Sequence, residues 1–175
     1  MDYPVNIGLG FVWTAYVLLF STAAVWDVWK RIIPNVLPAG LVVLFIGAAV
    51  LSPLPVDWLS HLASGGLVLF VGAVLFGFGW LGGGDVKLWT AGALWAGLEL
   101  VPFQVGFVAI SGGVLALLMM FMRSQVPHFV MLLPAPIRPS LPQAFMGDEP
   151  IPYGVAIAAG SIFVSYGLPI LAGTP

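Results

Sequence analysis

The chain is 175 residues long, with 61% hydrophobic residues, 7% charged residues and a formal net charge of −2. Mean hydropathy is +1.09 and soluble domains carry about 25% charged residues, so this is the composition of a polytopic membrane protein. The small net charge argues against a nucleic-acid partner, and the absence of cysteine excludes disulfides, thiolate metal sites and cysteine nucleophiles.

Six apolar runs predict an all-α fold of six transmembrane helices in a single membrane-embedded domain over residues 1–175. They are 7–26, 36–51, 59–80, 86–101, 103–122 and 152–171. Most are close to the roughly 20 residues that a bilayer core requires; the second and fourth are short and need neighbours or local thinning. No Lys or Arg precedes the first run, so a span is expected there and not a cleaved leader. Lys30 and Arg31 follow the first run, Lys87 opens the fourth, and Arg123 and Arg138 follow the fifth. Six alternating spans put all five on one face, which the positive-inside rule makes cytoplasmic. Asp2, Asp57 and Glu99 fall on the opposite face, as do both termini. Residues 123–150 form the expected cytoplasmic loop. It holds six prolines (127, 134, 136, 139, 142 and 150), against a continuous helix, an apolar stretch over 129–133 suited to the interface, and Asp148 and Glu149 beside the last span.

Two aspartates stand out. Asp27 lies late in the first run, three residues before Lys30, and Asp85 follows Gly82, Gly83 and Gly84, two residues before Lys87. A carboxylate at the edge of hydrocarbon is costly unless it has a partner or a function. Both sit at similar depth near the cytoplasmic rim, which suggests one shared cavity. The plainer alternative is two juxtamembrane charges with their tips in the headgroups. For Asp85 the three glycines weigh against it, because they cost stability in any regular element. For Asp27, flanked by Trp26 and Trp29 as interface residues, the plainer reading stays open.

The remaining polar residues have local readings. Lys87 either tunes the aspartates or holds substrate, or it snorkels to headgroups as an anchor, the reading preferred here. Lys30 and Arg31 are read as topology determinants. Asn35 is the expected N-cap of the second span, and His61 an interface residue at the outer start of the third. His128 has no partner pattern, and with only two histidines and no H-E-x-x-H motif there is no metal-ligand set. The small pairs Gly92/Ala96, Ala93/Gly97, Gly112/Ala116, Gly154/Ala158 and Ala156/Gly160 allow close helix approach.

Three segments carry a resemblance. Gly82-Gly83-Gly84-Asp85-Val86-Lys87-Leu88 resembles the G-x-G-D motif of intramembrane aspartyl proteases, in the form with Lys two residues on that type IV prepilin peptidases have. Asp27-Val28-Trp29-Lys30-Arg31-Ile32-Ile33-Pro34-Asn35 resembles that family's first-aspartate segment, and Ile151-Pro152-Tyr153-Gly154 the start of its closing helix. The length is similar to the short forms that serve tight-adherence (Flp-type) pili.

The resemblance implies an aspartic endopeptidase of the bacterial inner membrane that cuts the basic leader of pilin precursors on the cytoplasmic side. Asp27 and Asp85 would be the catalytic pair, sharing one proton and activating water. Gly82, Gly83, Gly84, Lys87, Pro152, Tyr153 and Gly154 would shape the site. Asp148 and Glu149 either meet a basic leader at substrate entry or simply mark the start of the last span at the end of a connecting loop. No cofactor is implied, and the partners are the prepilin, the bilayer and the pilus assembly machinery. The long forms carry a cytoplasmic domain, often with four cysteines, between the first spans. Its absence here leaves open any methyltransferase activity on the new pilin N-terminus. Two alternatives are a proton- or ion-coupled transporter using paired carboxylates, and a GxGD protease with other transmembrane substrates.

Overall fold

A computed structural model describes residues 7–52, 54–132 and 151–168. These residues form the α-helices α1 (Ile7–Lys30), α2 (Val36–Leu51), α3 (Trp58–Gly77), α4 (Gly83–Leu132) and α5 (Tyr153–Ser165), the first four joined by short connections. Among the described residues, three segments are long and apolar enough to cross a membrane, Gly10–Lys30, Trp58–Gly77 and Gly83–Gln125. The expected second run coincides with α2. The first is longer than expected and carries Asp27 inside the helix. The last helix is shorter, starting at Tyr153 and ending at Ser165.

The fourth and fifth expected spans are two limbs of α4, divided at Gly97, whose φ of 65° and ψ of 177° lie outside any helical conformation. The chain turns back there. Gly92 and Gln104 would be about 18 Å apart along a straight helix, yet a Cβ placed on Gly92 would collide with the Gln104 Nε2. The sequence reading divided these spans around Pro102; the break is at Gly97, because only glycine adopts that backbone without a large steric cost.

The turn interrupts the helical hydrogen bonds, and in an apolar setting each freed backbone group needs a partner. Helix α3 supplies them. Ser64 Oγ bonds the Ala93 carbonyl at 2.6 Å, His61 Nδ1 bonds the Leu94 carbonyl at 2.8 Å, and the Leu98 N–H donates to Ser60 Oγ at 2.9 Å. His61 is therefore buried between helices and is no interface residue, contrary to the expectation from sequence.

Helix ends follow local chemistry. The Asp57 side chain caps α3 by accepting from the Ser60 N–H. At its other end Gly79 takes φ 73°, and Gly79 and Trp80 bond back to Phe76 and Leu75, a Schellman closure that stops the helix before Trp80. The second limb of α4 continues to Leu132, so the expected loop begins later than residue 123. Pro127 lies within that helix; one proline removes one backbone hydrogen bond and does not by itself forbid helix. Residues 133–150, with Arg138, Asp148 and Glu149, lie outside the described residues.

The core is an aromatic stack tied by its polar tips. Tyr16 and Phe45 each pack edge-on against Trp95, with ring centroids 4.9 and 5.6 Å apart. Trp95 Nε1 donates to the Leu41 carbonyl, Tyr16 Oη to the Ser161 carbonyl and Trp13 Nε1 to Ser165 Oγ, each at 3.0 Å. Interhelical bonds of this kind contribute about 0.6–2 kcal/mol each in membranes. Together they lock α1, α2, α4 and α5. Large apolar side chains such as Phe11, Val43, Phe70, Leu117 and Phe163 point outward, as expected of a surface solvated by lipid.

Candidate active site

Asp27 and Asp85, 58 residues apart in sequence, line one cavity of about 260 Å³. Its other walls are the connection after α1 (Arg31, Ile32, Ile33, Asn35) and the glycines Gly82, Gly83 and Gly84. The cavity lies at the end of the bundle that also holds Arg31 and Lys87. Asp57 and Glu99 line a separate cavity with Ser60, His61 and Gly97, a full helix limb away.

Asp27 is buried, 6% exposed. Its Oδ2 accepts from the Gly154 N–H at 2.9 Å, at the first turn of α5, where backbone N–H groups have no partner within the helix. Its Oδ1 meets Arg31 at 3.5 Å. Arg31 stands just past α1 with φ 56°, a left-handed conformation uncommon for a residue with a Cβ, and this turns the guanidinium back toward the carboxylate one helical turn earlier. The sequence reading gave Arg31 only a topological role. The Asp27–Arg31 spacing of four, which makes neighbours on a helix, was the available signal.

Asp85 opens α4. Its Oδ2 accepts from the Gly82 N–H at 3.2 Å, the third-residue-to-cap contact of a capping box, and a carboxylate there suits the positive end of the helix dipole. That contact occupies one oxygen. The other, Oδ1, is buried and has no hydrogen-bond partner among the described residues, which is unusual for a carboxylate. Asp85 is thus a helix cap with one oxygen to spare.

The glycines fit tight places. A Cβ on Gly154 would stand 2.8 Å from Asp27 Oδ2 and 3.0 Å from Ile33 Cδ1, and one on Gly84 would stand 3.1 Å from Ile33 Cβ. Ile33, 7% exposed, is the plug around which the first-aspartate segment, the glycine segment and the start of α5 converge. Gly82 would press a Cβ against Asp85 Oδ2 at 2.8 Å, whereas at Gly83 it would only touch the ring of Phe76. Pro152 is fully buried at the start of α5, and Tyr153 packs toward Gly112 in an adjoining apolar cavity.

Lys87 is exposed and its Nζ donates to Asn35 Oδ1 at 2.9 Å, tying α4 to the start of α2. It is therefore partnered by protein at the rim of the cavity, where sequence alone favoured a headgroup anchor. Asn35 stands at the expected N-cap position of α2, but its side chain makes no cap bond. The Leu37 N–H is taken by the Pro34 carbonyl at 3.0 Å and Pro38 has no N–H to cap, which leaves the amide oxygen for lysine.

A model of the type IV leader peptidase family matches residues 14–117. The chain belongs to that family. It is a protease family, and the apolar helices place this member in a membrane. The match spans most of α1, all of α2 and α3 and much of α4, with both aspartates and the glycine run; α5, which brings the Gly154 N–H to Asp27, lies outside it. No curated protein matches the chain, and no solved structure does.

Proposed function

We propose that this leader peptidase is an aspartic endopeptidase that removes the basic leader of Flp-like type IV pilin precursors at the cytoplasmic face of the bacterial inner membrane. One observation carries the reading: two carboxylates from distant helices share one small cavity, and one of them keeps a buried oxygen with no hydrogen-bond partner among the described residues. With a single proton between them, the ionised member takes a proton from water as the water oxygen bonds the scissile carbonyl carbon. The protonated member donates to the carbonyl oxygen, and collapse of the tetrahedral intermediate breaks the C–N bond as the amine takes up a proton. Arg31 and the Gly154 N–H hold Asp27 in place for this step.

A six-span arrangement supports that placement. The two limbs of α4 count as separate crossings, and α2 and α5, with 16 and 13 residues, reach about 24 and 20 Å. Both are shorter than the roughly 30 Å hydrocarbon core and rely on their neighbours. Lys30, Arg31 and Lys87 then share the dyad's end of the bundle, which the positive-inside rule makes cytoplasmic. The test is incubation of the purified protein in vesicles with a Flp-like precursor, read by mass spectrometry. A cut between basic leader and apolar helix is expected. An intact precursor alongside cleavage of unrelated transmembrane peptides would assign a different substrate.

A further inference from the structure

Helices α2 and α3 are neighbours in sequence but not along their whole length. They meet at the end away from the aspartates, where the Phe45 ring stands 5.0 Å from His61 and 5.9 Å from Trp58. Toward the dyad they part, leaving a groove of about 370 Å³ with Pro38, Ala39 and Val42 on one wall, Leu69 on the other, and Lys87 lining it beside Asn35. The first limb of α4 forms the floor through Thr90 and Ala91. Val42 and Leu69 are 38% and 48% exposed, so the groove opens sideways toward lipid.

Two features distinguish it from an ordinary lipid-facing crevice. Asn35 lines both this groove and the carboxylate cavity, so the two spaces adjoin, with the Asn35 side chain between them at the dyad's edge. A second apolar cavity, near Trp89 and Tyr153, shares no residue with the carboxylate cavity. Next, Thr90 Oγ1 is buried without a hydrogen-bond partner among the described residues, five residues beyond Asp85 and so about 7.5 Å further along α4. A hydroxyl at that place can bond a backbone group of a chain running from groove to dyad.

We propose that this groove is the lateral docking site for the apolar helix of the substrate, with the helix lying between α2 and α3 and its polar leader passing Asn35 into the carboxylate cavity. The inference rests on the leader-peptidase reading and adds the surface by which substrate is held. The occupant follows from the adjacency: an apolar wall that ends beside a polar, carboxylate-lined pocket matches a chain that is apolar on one side of the scissile bond and polar on the other. Docking from the side also keeps the substrate helix in the bilayer throughout, so no apolar surface is exposed to water.

Site-specific photocrosslinking tests it, using Asp85→Asn protein so that bound precursor is not cut. Photoreactive residues at Val42 and Leu69 are expected to capture the pilin precursor, and those at Phe70 and Leu117, which face outward elsewhere, are not. In protein with both aspartates intact, Ala39→Trp fills the groove from its exposed wall. It is expected to raise the precursor concentration for half-maximal cleavage about tenfold, leaving turnover at saturation within twofold. Equal capture at all four positions, or capture only at Phe70 and Leu117, would overturn the proposal, as would unchanged half-saturation in Ala39→Trp. Failure of the unsubstituted protein to cut any precursor would count against the peptidase reading instead, so the two failures are distinguishable.

Discussion

Replacing Gly154 by alanine isolates the contact that α5 makes with the candidate dyad. The new Cβ would stand 2.8 Å from Asp27 Oδ2 and 3.1 Å from Asp27 Cβ, with Ile33 Cδ1 at 3.0 Å on its other side. Atoms in comfortable contact are about 3.5 Å apart or more, so the Asp27 carboxyl must retreat by about 0.5 Å, and Ile33 closes the easy escape. The 2.9 Å bond from the Gly154 N–H lengthens or breaks. A hydrogen bond to a charged group contributes about 1.5–3 kcal/mol, and each 1.4 kcal/mol off a barrier is tenfold in rate. The expected loss in kcat is therefore about 10- to 100-fold. The assay is the initial rate of precursor cleavage in vesicles, with expression and thermal unfolding of the same preparations as controls. Gly113→Ala serves as the comparison, because a Cβ there meets nothing within 4 Å, and its rate should stay within twofold of the original. If Gly154→Ala were inserted normally and cut at the unsubstituted rate, the clamp on Asp27 would be refuted.

Gly97→Ala should destabilise the protein by about 1–3 kcal/mol, the cost of a glycine-only conformation, with Ser60 Oγ 3.1 Å from the added Cβ; the readout is a lower unfolding temperature in detergent. His61→Phe should also destabilise, since it leaves the Leu94 carbonyl without the bond at 2.8 Å, while His61→Asn should recover part of the loss; equal stability of all three proteins would show that the turn needs no partner from α3. Asp148→Asn with Glu149→Gln, in the segment outside the described residues, should raise half-saturation a few-fold at low salt and little at high salt, because exposed pairs are worth about 0–1 kcal/mol and are screened. Cysteines introduced at Trp29 and Asp57, against a chain with no cysteine, should be respectively shielded from and open to an impermeant thiol reagent in intact cells; labelling of Trp29 alone would invert the topology.

The membrane class and the helices were legible because hydropathy and length are one-dimensional properties, and the α2 run was delimited correctly from them alone. The pairing of Asp27 with Asp85 was legible too, because two isolated carboxylates in apolar sequence need a common explanation. What sequence hid was geometry that depends on contact. Gly97 reads as one of several small packing residues, since nothing in its neighbours announces a positive φ, and Pro102 drew the boundary instead. His61 looked like an interface residue because its partner is a carbonyl freed by that same turn. The roles of Arg31 and Ile33 required knowing that α1 ends in a left-handed residue and that Gly84 and Gly154 close on one side chain. Asn35 failed as a cap for a reason visible afterwards: its target positions are a proline and an N–H already bonded.

Joint action of Asp27 and Asp85 on water at one cavity is the core of the proposed mechanism. Its most direct measurement is precursor cleavage by Asp27→Asn and Asp85→Asn, each reconstituted at equal amount, since asparagine keeps size and polarity but cannot share or transfer the proton. Both variants should insert and unfold like the unsubstituted protein and lose cleavage by at least about 1,000-fold, in line with loss of proton transfer together with nucleophile activation. Either variant cutting at the unsubstituted rate would contradict the account.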